Sequence, residues 1–212
     1  NFELKAKRRI KYIIIHYTNL PSTQASLKHL LNKRNKVSAH YLLDQMGKIY
    51  SLVNEKDIAW HAGIYSWKAD KLLNKKSIGI ELQNTGTAGN YEKFPNQQIS
   101  QLEKLILELQ NKYNISNANI LGHSDISPDR KIDPGPKFPW QQLFKNGIGL
   151  MPKIHPSKSK KNTTSNEIKN LQILSPWWSN GRWGPPPTEG KRPRITNSRA
   201  KRQWGECGLC RH

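Results

Sequence analysis

Apolar positions along the chain change their period several times, and each change marks an element. "KYIIIHYT" (Lys11 to Thr18) is a short, unbroken, β-branched run, which predicts a buried strand. In "STQASLKHLLNKR" (Ser22 to Arg34) the apolar residues take helical spacing behind a Ser or Thr cap. "AHYLLD" and "KIYSLV", separated by "QMG", predict a hairpin with Gly47 in its turn. "KSIGIELQN" (Lys76 to Asn84) reads as a second buried strand. The strongest helical signal is "NQQISQLEKLILELQNKY" (Asn96 to Tyr113). There Ile99, Leu102, Ile106, Leu109 and Tyr113 share one face and charged residues the other. "NANILGHS" adds a short strand, and "FPWQQLF" a closing helix that starts at a Pro. Together these elements predict one α/β domain over residues 1–150.

Beyond residue 150 the pattern stops. "MPKIHPSKSKKNTTSNEIKN" is polar and basic without sustained period and reads as a linker. "SPWWSNGRWGPPPTEGKRPRITNSRAKRQWGECGLCRH" is rich in Pro, Gly, Arg and Trp and has no binary pattern able to bury a core. Residues 151–212 are therefore expected to be a disordered tail, either a genuine basic arm or non-native sequence. With 212 residues, of which 35% are hydrophobic, the chain can bury one sizeable core and still carry such a tail. Its formal charge of +20 implies attraction to polyanions: nucleic acid, anionic lipid headgroups or an acidic cell-wall polymer. Charge alone does not choose among them. No apolar run approaches the ~18 residues of a membrane span. Cys207 and Cys210 sit together near the C-terminus, so no disulfide framework staples the body. Their single C-x-x-C is half of a metal knuckle and reads as incidental. The start at Asn1, without a leader pattern, suggests a processed or truncated chain whose compartment cannot be read from that end.

Candidate chemistry concentrates in "GHSDISPDRKIDPG" (Gly122 to Gly135), a bent segment holding His123, Lys131 and Asp133. A zinc site needs His, Cys or carboxylate donors about 2.0–2.3 Å from the ion, and a catalytic one usually has three protein ligands. His123 and Asp133 supply two, and a third must come from elsewhere. The candidates are His16, His29, His40, His61, His155 and His212. His16 is the best placed, because it ends the run "YIIIH" and the C-terminal ends of α/β strands are where ligand groups gather. A strand-ending His can equally be a satisfied, half-buried imidazole. Glu81 is a carboxylate inside an apolar strand, so it must be paired or face a polar cleft, unless the strand is an edge and Glu81 points to water. Lys131 can reach the same cleft as Asp133 or be one of many surface lysines.

Five segments, taken together and in this order, resemble the zinc N-acetylmuramoyl-L-alanine amidases: "IIIHYT", "VSAHYLLDQMGKIYSLV", "AWHAG", "SIGIELQN" and "GHSDISPDRKIDPGPKFPW". The likeness is to the AmpD and AmiD family, related in fold to peptidoglycan recognition proteins and the phage T7-type amidase, and covers roughly residues 8 to 148. "DPGPKFPW" looks more like the AmiD branch. The resemblance implies a central mixed β-sheet flanked by helices, with one Zn2+ per chain bound by His16, His123 and Asp133. It implies Glu81 as general base and Lys131 as the group that holds the oxyanion. The implied reaction is hydrolysis, by metal-activated water, of the amide joining N-acetylmuramic acid to L-alanine. Its implied substrate is peptidoglycan or an (anhydro)muropeptide. Tyr17 is expected at the rim of the site, and Trp60 and His61 on a loop where an aromatic face can pack on a sugar or anchor the core. His40 is expected to face either the cleft or the core, or to orient a ligand from behind.

Two rival readings remain at this level. One is a binding module of the same fold that recognises peptidoglycan without cutting it, although such recognition proteins typically lack a zinc ligand. The other is nucleic-acid binding through the Trp-punctuated basic tail, which no recognised motif supports. A monomer acting in the periplasm, outside the cell or at its envelope is expected, with the cytoplasm as the alternative.

Overall fold

The structure is a computed structural model that describes residues 2–3 and 8–151. Its elements in chain order are β1 (Phe2–Glu3), β2 (Tyr12–Tyr17), α1 (Thr23–Leu31), β3 (Tyr41–Leu43), β4 (Ile49–Ser51) and β5 (Ile58–Ala59). They continue with β6 (Ser77–Leu82), α2 (Asn96–Tyr113), β7 (Ile120–Gly122), α3 (His123–Ile126) and α4 (Trp140–Lys145). The expected linker and tail lie outside the described residues, as do His155, His212, Cys207 and Cys210.

Five strands form one mixed sheet in the order β4-β3-β6-β2-β7. β2 pairs in parallel with both β6 and β7, β3 is parallel to β6, and only the β3–β4 hairpin is antiparallel. β1 and β5 pair separately. This is the expected α/β architecture with a central mixed sheet. The two middle strands are buried on both faces, as unbroken apolar runs in parallel sheets require. The hairpin turns at Gly47, whose φ of +82° lies in the left-handed region that favours glycine. The Asp44 carboxylate accepts from the backbone N–H groups of Met46 and Lys48 and so fixes that turn.

Alternation along β2 and β6 divides the sheet into two unlike faces. Ile13, Ile15, Ile78, Ile80 and Leu82 point to one side and pack with Ile99, Leu102, Ile106 and Leu109 of α2. Each of those four helical side chains is buried, which contributes about 1.5–3 kcal/mol apiece relative to exposure. The predicted helix is observed to the residue. It ends at Asn114, which adopts φ +53°. α1 is shorter than its predicted span: Ser22 Oγ caps it by accepting from Ala25 N–H, but it stops at Leu31 and gives way to a short 3-10 turn, Lys33–Asn35. On the opposite face Tyr12 and Ile14 pack with Ala62, Leu73, Leu121 and Ile126. The next residue of β2 on that face is His16, and β6 presents Ser77, Gly79 and Glu81 to it. Register pairs them row by row: Tyr12 with Ser77, Ile14 with Gly79, His16 with Glu81. One face of the sheet is core; the other ends in chemistry.

Candidate metal centre

Three adjacent parallel strands, β6, β2 and β7, deliver Glu81, His16 and His123 at or just beyond their C-terminal ends. His16 and Glu81 are register partners, and the pairing of Ile15 with Gly122 sets His123 immediately beyond β7. Ligand sites in open α/β sheets gather at this edge because helices and loops diverge there and leave a crevice. His123 also opens the single helical turn α3, where an irregular loop was expected. The turn forms because Asp125 reaches back and accepts the Gly122 N–H at 2.7 Å.

After α3 the chain folds back on itself. Ser127 C=O accepts from the N–H groups of both Arg130 and Lys131, and Gly135 N–H donates to Ile132 C=O. The bond that closes the return is Ser124 N–H to Asp133 C=O, 2.9 Å. It brings Asp133 back beside His123. The Asp133–Pro134 peptide is cis.

The result is a triangle of donor atoms. His16 Nδ1 lies 2.9 Å from Asp133 Oδ2 and 3.0 Å from His123 Nδ1, and His123 Nδ1 lies 3.1 Å from Asp133 Oδ2. All three residues are buried. Donors about 2.0–2.2 Å from a tetrahedral zinc stand about 3.3 Å apart, so these three fit one ion with only slight spreading. The donor set, two imidazoles and a carboxylate, is of the type found at catalytic zinc. This group can therefore hold a metal ion.

Electrostatics agree with that reading. Burial drops the His16 imidazole to about 4, against the opposing pull of the Asp133 carboxylate, so it is neutral at pH 7. Burial pushes Asp133 up, but the two imidazoles beside it outweigh that and leave it well below the usual carboxylate range. A neutral imidazole and an ionised carboxylate are the forms that ligate. Glu81 behaves oppositely: burial, reinforced by the Asp133 charge, raises it to about 8, while Lys131 pulls it back. Its Oε2 has no hydrogen-bond partner among the described residues. The half-buried Lys131 acts electrostatically on both Glu81 and His16, so its charge reaches the cleft.

Of the candidate substrate contacts, His40 and His61 take buried positions, and for His40 that is the core alternative. His40 is fully buried: its Nδ1 accepts the Gly79 N–H at 3.0 Å, and its Nε2 lies 3.2 Å from both the Asp57 carbonyl and Arg8. It joins β3 to the middle of β6 and has no face to offer a ligand. His61 is also buried, with Nδ1 3.1 Å from His16 Nε2 and Nε2 3.2 Å from Ser77 Oγ. It stands behind His16 and away from the rim, because the loop after β5 folds over the sheet. Tyr17 is half-buried against Gly86 and Gly135, beside Tyr91. Trp60 is half-buried, its backbone tied to Ser38 in both directions. Sequence reasoning missed Ser77, Gly79 and Asn74. Asn74 Oδ1 accepts from the N–H groups of His61 and Ala62, and a Cβ on Gly79 would come within 2.3 Å of the His61 ring. The signal that points to Ser77 and Gly79 is their period-two spacing with Glu81 along β6.

Comparison with known proteins extends the picture. The family model for N-acetylmuramoyl-L-alanine amidase matches residues 6–136. The chain is 44% identical over 156 residues to the N-acetylmuramoyl-L-alanine amidase AmiD of Escherichia coli, covering 68% of this chain and 55% of AmiD. It is 34% identical over 153 residues to the 1,6-anhydro-N-acetylmuramyl-L-alanine amidase AmpD of Haemophilus influenzae, covering 64% of this chain and 81% of that protein. Among solved structures it resembles E. coli AmiD in complex with anhydro-N-acetylmuramic acid-L-Ala-D-gamma-Glu-L-Lys. There the TM-score is 0.64 at 42% identity, over 70% of this chain and 61% of that one. The chain thus spans little more than half the length of AmiD.

Proposed function

The chain belongs to the N-acetylmuramoyl-L-alanine amidase family, and from that premise we propose that it is a zinc hydrolase. The bond cut is the amide joining the lactyl group of N-acetylmuramic acid to L-alanine, in peptidoglycan or in muropeptides. The observation that carries this reading is the buried His16–His123–Asp133 triangle, with Glu81 in register beside His16. A module that only recognises the wall has no use for three converging donors and a buried carboxylate, each of which is costly to desolvate.

His16, His123 and Asp133 would hold the ion. When bound, zinc supplies Lewis acidity, which acidifies water and polarises a carbonyl oxygen. Glu81 takes the proton of the attacking water on its unpartnered Oε2 and delivers it to the nitrogen of the leaving L-alanine. A carboxylate raised by burial suits both tasks, because it is basic enough to accept and acidic enough to return the proton near neutral pH. Lys131 offsets the negative charge that develops on the carbonyl oxygen. Tyr17 lines the rim. Every group comes from one chain, so a monomer suffices. The amidase unit corresponds to residues 1–150, and we place its action at the cell envelope, where intact wall is available; fractionation of cells with an antibody to the chain tests that location.

Mass spectrometry of a purified muropeptide after incubation tests the reaction. The expected products are the sugar and a stem peptide with a free L-alanine amino group. A chelator should suppress their formation and added zinc restore it. Tight binding of the muropeptide by the zinc-loaded chain, without cleavage, would instead establish a recognition module.

A further inference from the structure

We propose that Ser77 and His61 form a relay behind the metal centre which fixes the tautomer of His16 and presents its Nδ1 lone pair to the ion. The inference rests on the zinc reading above and assigns His61 as a positioning residue. It follows from counting protons along one row of contacts. Ser77 Oγ lies 2.6 Å from the Leu73 carbonyl oxygen, which can only accept, so the hydroxyl proton is committed there. Toward His61 Nε2, at 3.2 Å, Ser77 Oγ is left as an acceptor, and His61 Nε2 must carry the ring proton. A neutral imidazole has one such proton, so His61 Nδ1 is bare. His16 Nε2 lies 3.1 Å from it and must therefore donate. That leaves His16 Nδ1 unprotonated, 2.9 Å from Asp133 Oδ2 and 3.0 Å from His123 Nδ1. With that nitrogen bare, Asp133 Oδ2 is left with His123 Nδ1, 3.1 Å away, as its imidazole donor, and a cation between the three atoms satisfies the His16 lone pair. The relay therefore commits the site to a metal before the metal arrives.

Local packing is built to hold this row. Asn74 Oδ1 accepts from the backbone N–H groups of His61 and Ala62, at 3.0 and 2.7 Å, and so pins the loop that carries the ring. The ring itself sits on Gly79, where any side chain would collide with it. A glycine in the centre of a buried strand costs backbone entropy and packing, and the close approach of His61 accounts for it. His123 has no such support: its Nε2 finds no partner among the described residues. The lock acts on the strand-borne ligand alone.

Two substitutions separate the relay from mere filling of space. His61→Phe keeps a ring on Gly79 but removes the acceptor for His16 Nε2, whereas His61→Asn offers Oδ1 at the place of Nδ1. Zinc affinity of the full chain, by competition with a chromophoric chelator, should fall about 10–100-fold in His61→Phe. Most of that loss should return in His61→Asn. Ser77→Ala should give a smaller loss, since it frees the His61 tautomer without removing the acceptor. On the wild-type chain, long-range 1H–15N NMR of the chelator-treated protein at neutral pH should find both His16 and His61 as Nε2–H tautomers. A predominant Nδ1–H form of His16, or a His61→Phe chain that folds and binds zinc as tightly as wild type, would overturn the relay. A wild-type chain that binds no zinc at all would overturn the functional reading instead.

Discussion

The two halves of the site are built by different means. His16 and Glu81 face each other across a parallel ladder in the centre of the sheet, and their separation is set by strand register. His123, Lys131 and Asp133 come from one segment that turns through α3 and returns on a few backbone hydrogen bonds. The strand half is held by packing on both faces; the loop half is held by Asp125, Ser127 and the Ser124–Asp133 bond. A shift of one residue in β2 or β6 would turn His16 or Glu81 into the α2 core, so that half tolerates no slippage. A loop can adjust its side chains, and this one carries both the Asp133 carboxylate and the Lys131 ammonium. The proposed functions follow the same division: rigid elements position the base, and the loop closes the coordination.

Substitutions in each half should break the site differently. The largest effect is expected in the loop half, from Asp133→Ala. Removing that carboxylate deletes one of three donors and the charge opposing the ion, so zinc content and activity should be lost together, with activity down about a thousandfold or more. In the strand half, Glu81→Gln should lower turnover about 10²–10⁴-fold while metal analysis still finds zinc, because Glu81 is not a donor. Lys131→Ala should cost about 10²–10³ in turnover, again with zinc retained. Comparing metal content across these three variants therefore separates ligand from non-ligand, whichever half each belongs to.

The strand half carries a pH signature of its own. The folded-state pKa of Glu81 is raised from 4.5 to about 8. Its neutral form is favoured in the folded protein, so the stability it contributes is present below about 4.5 and is lost as pH rises toward 8. In chelator-treated protein the melting temperature of Glu81→Gln should therefore gain on wild type across that window, by the equivalent of a few kcal/mol at its upper end. A gap that stays constant with pH would mean that Glu81 is solvated or paired. The smallest effect concerns the sheet beneath the site. Gly79→Ala forces a Cβ against the His61 ring and should destabilise the fold by about 1–3 kcal/mol, measured by urea unfolding, and weaken zinc binding with it.

Much of this was legible in the residues themselves. The apolar run of β2, the helical period of α2 and the turn at Gly47 each declare their structure through a local rule, and the structure follows them. That His16, His123 and Asp133 belong together was legible only through the order of five segments, since nothing local to His16 distinguishes a candidate ligand from a satisfied core imidazole. What escaped were the things that depend on which face a residue takes. Glu81 was visible as an odd carboxylate in an apolar strand, yet Ser77 and Gly79, on the same face, look like ordinary small residues until the partner strand fixes their direction. The residues alone left His40 open between cleft, core and a place behind a ligand, and set His61 on a loop without fixing its direction. Their burial is set by a loop that folds over the sheet and by the cost of leaving the Gly79 N–H and His16 Nε2 unpaired, and neither is a property of a short segment. The helical turn α3 was missed for a similar reason: it is held by the reach-back contact of Asp125 and one backbone bond, Ser127 N–H to His123 C=O.

The central claim is that the His16–His123–Asp133 triangle is a zinc centre on which hydrolysis depends. The most direct test is to strip the full chain with a chelator, add zinc back in measured steps, and follow release of stem peptide from a muropeptide. Activity should start near zero, rise in proportion to added zinc and level off at about one equivalent per chain. Full activity in the stripped chain, or an activity that added zinc does not change, would contradict the account.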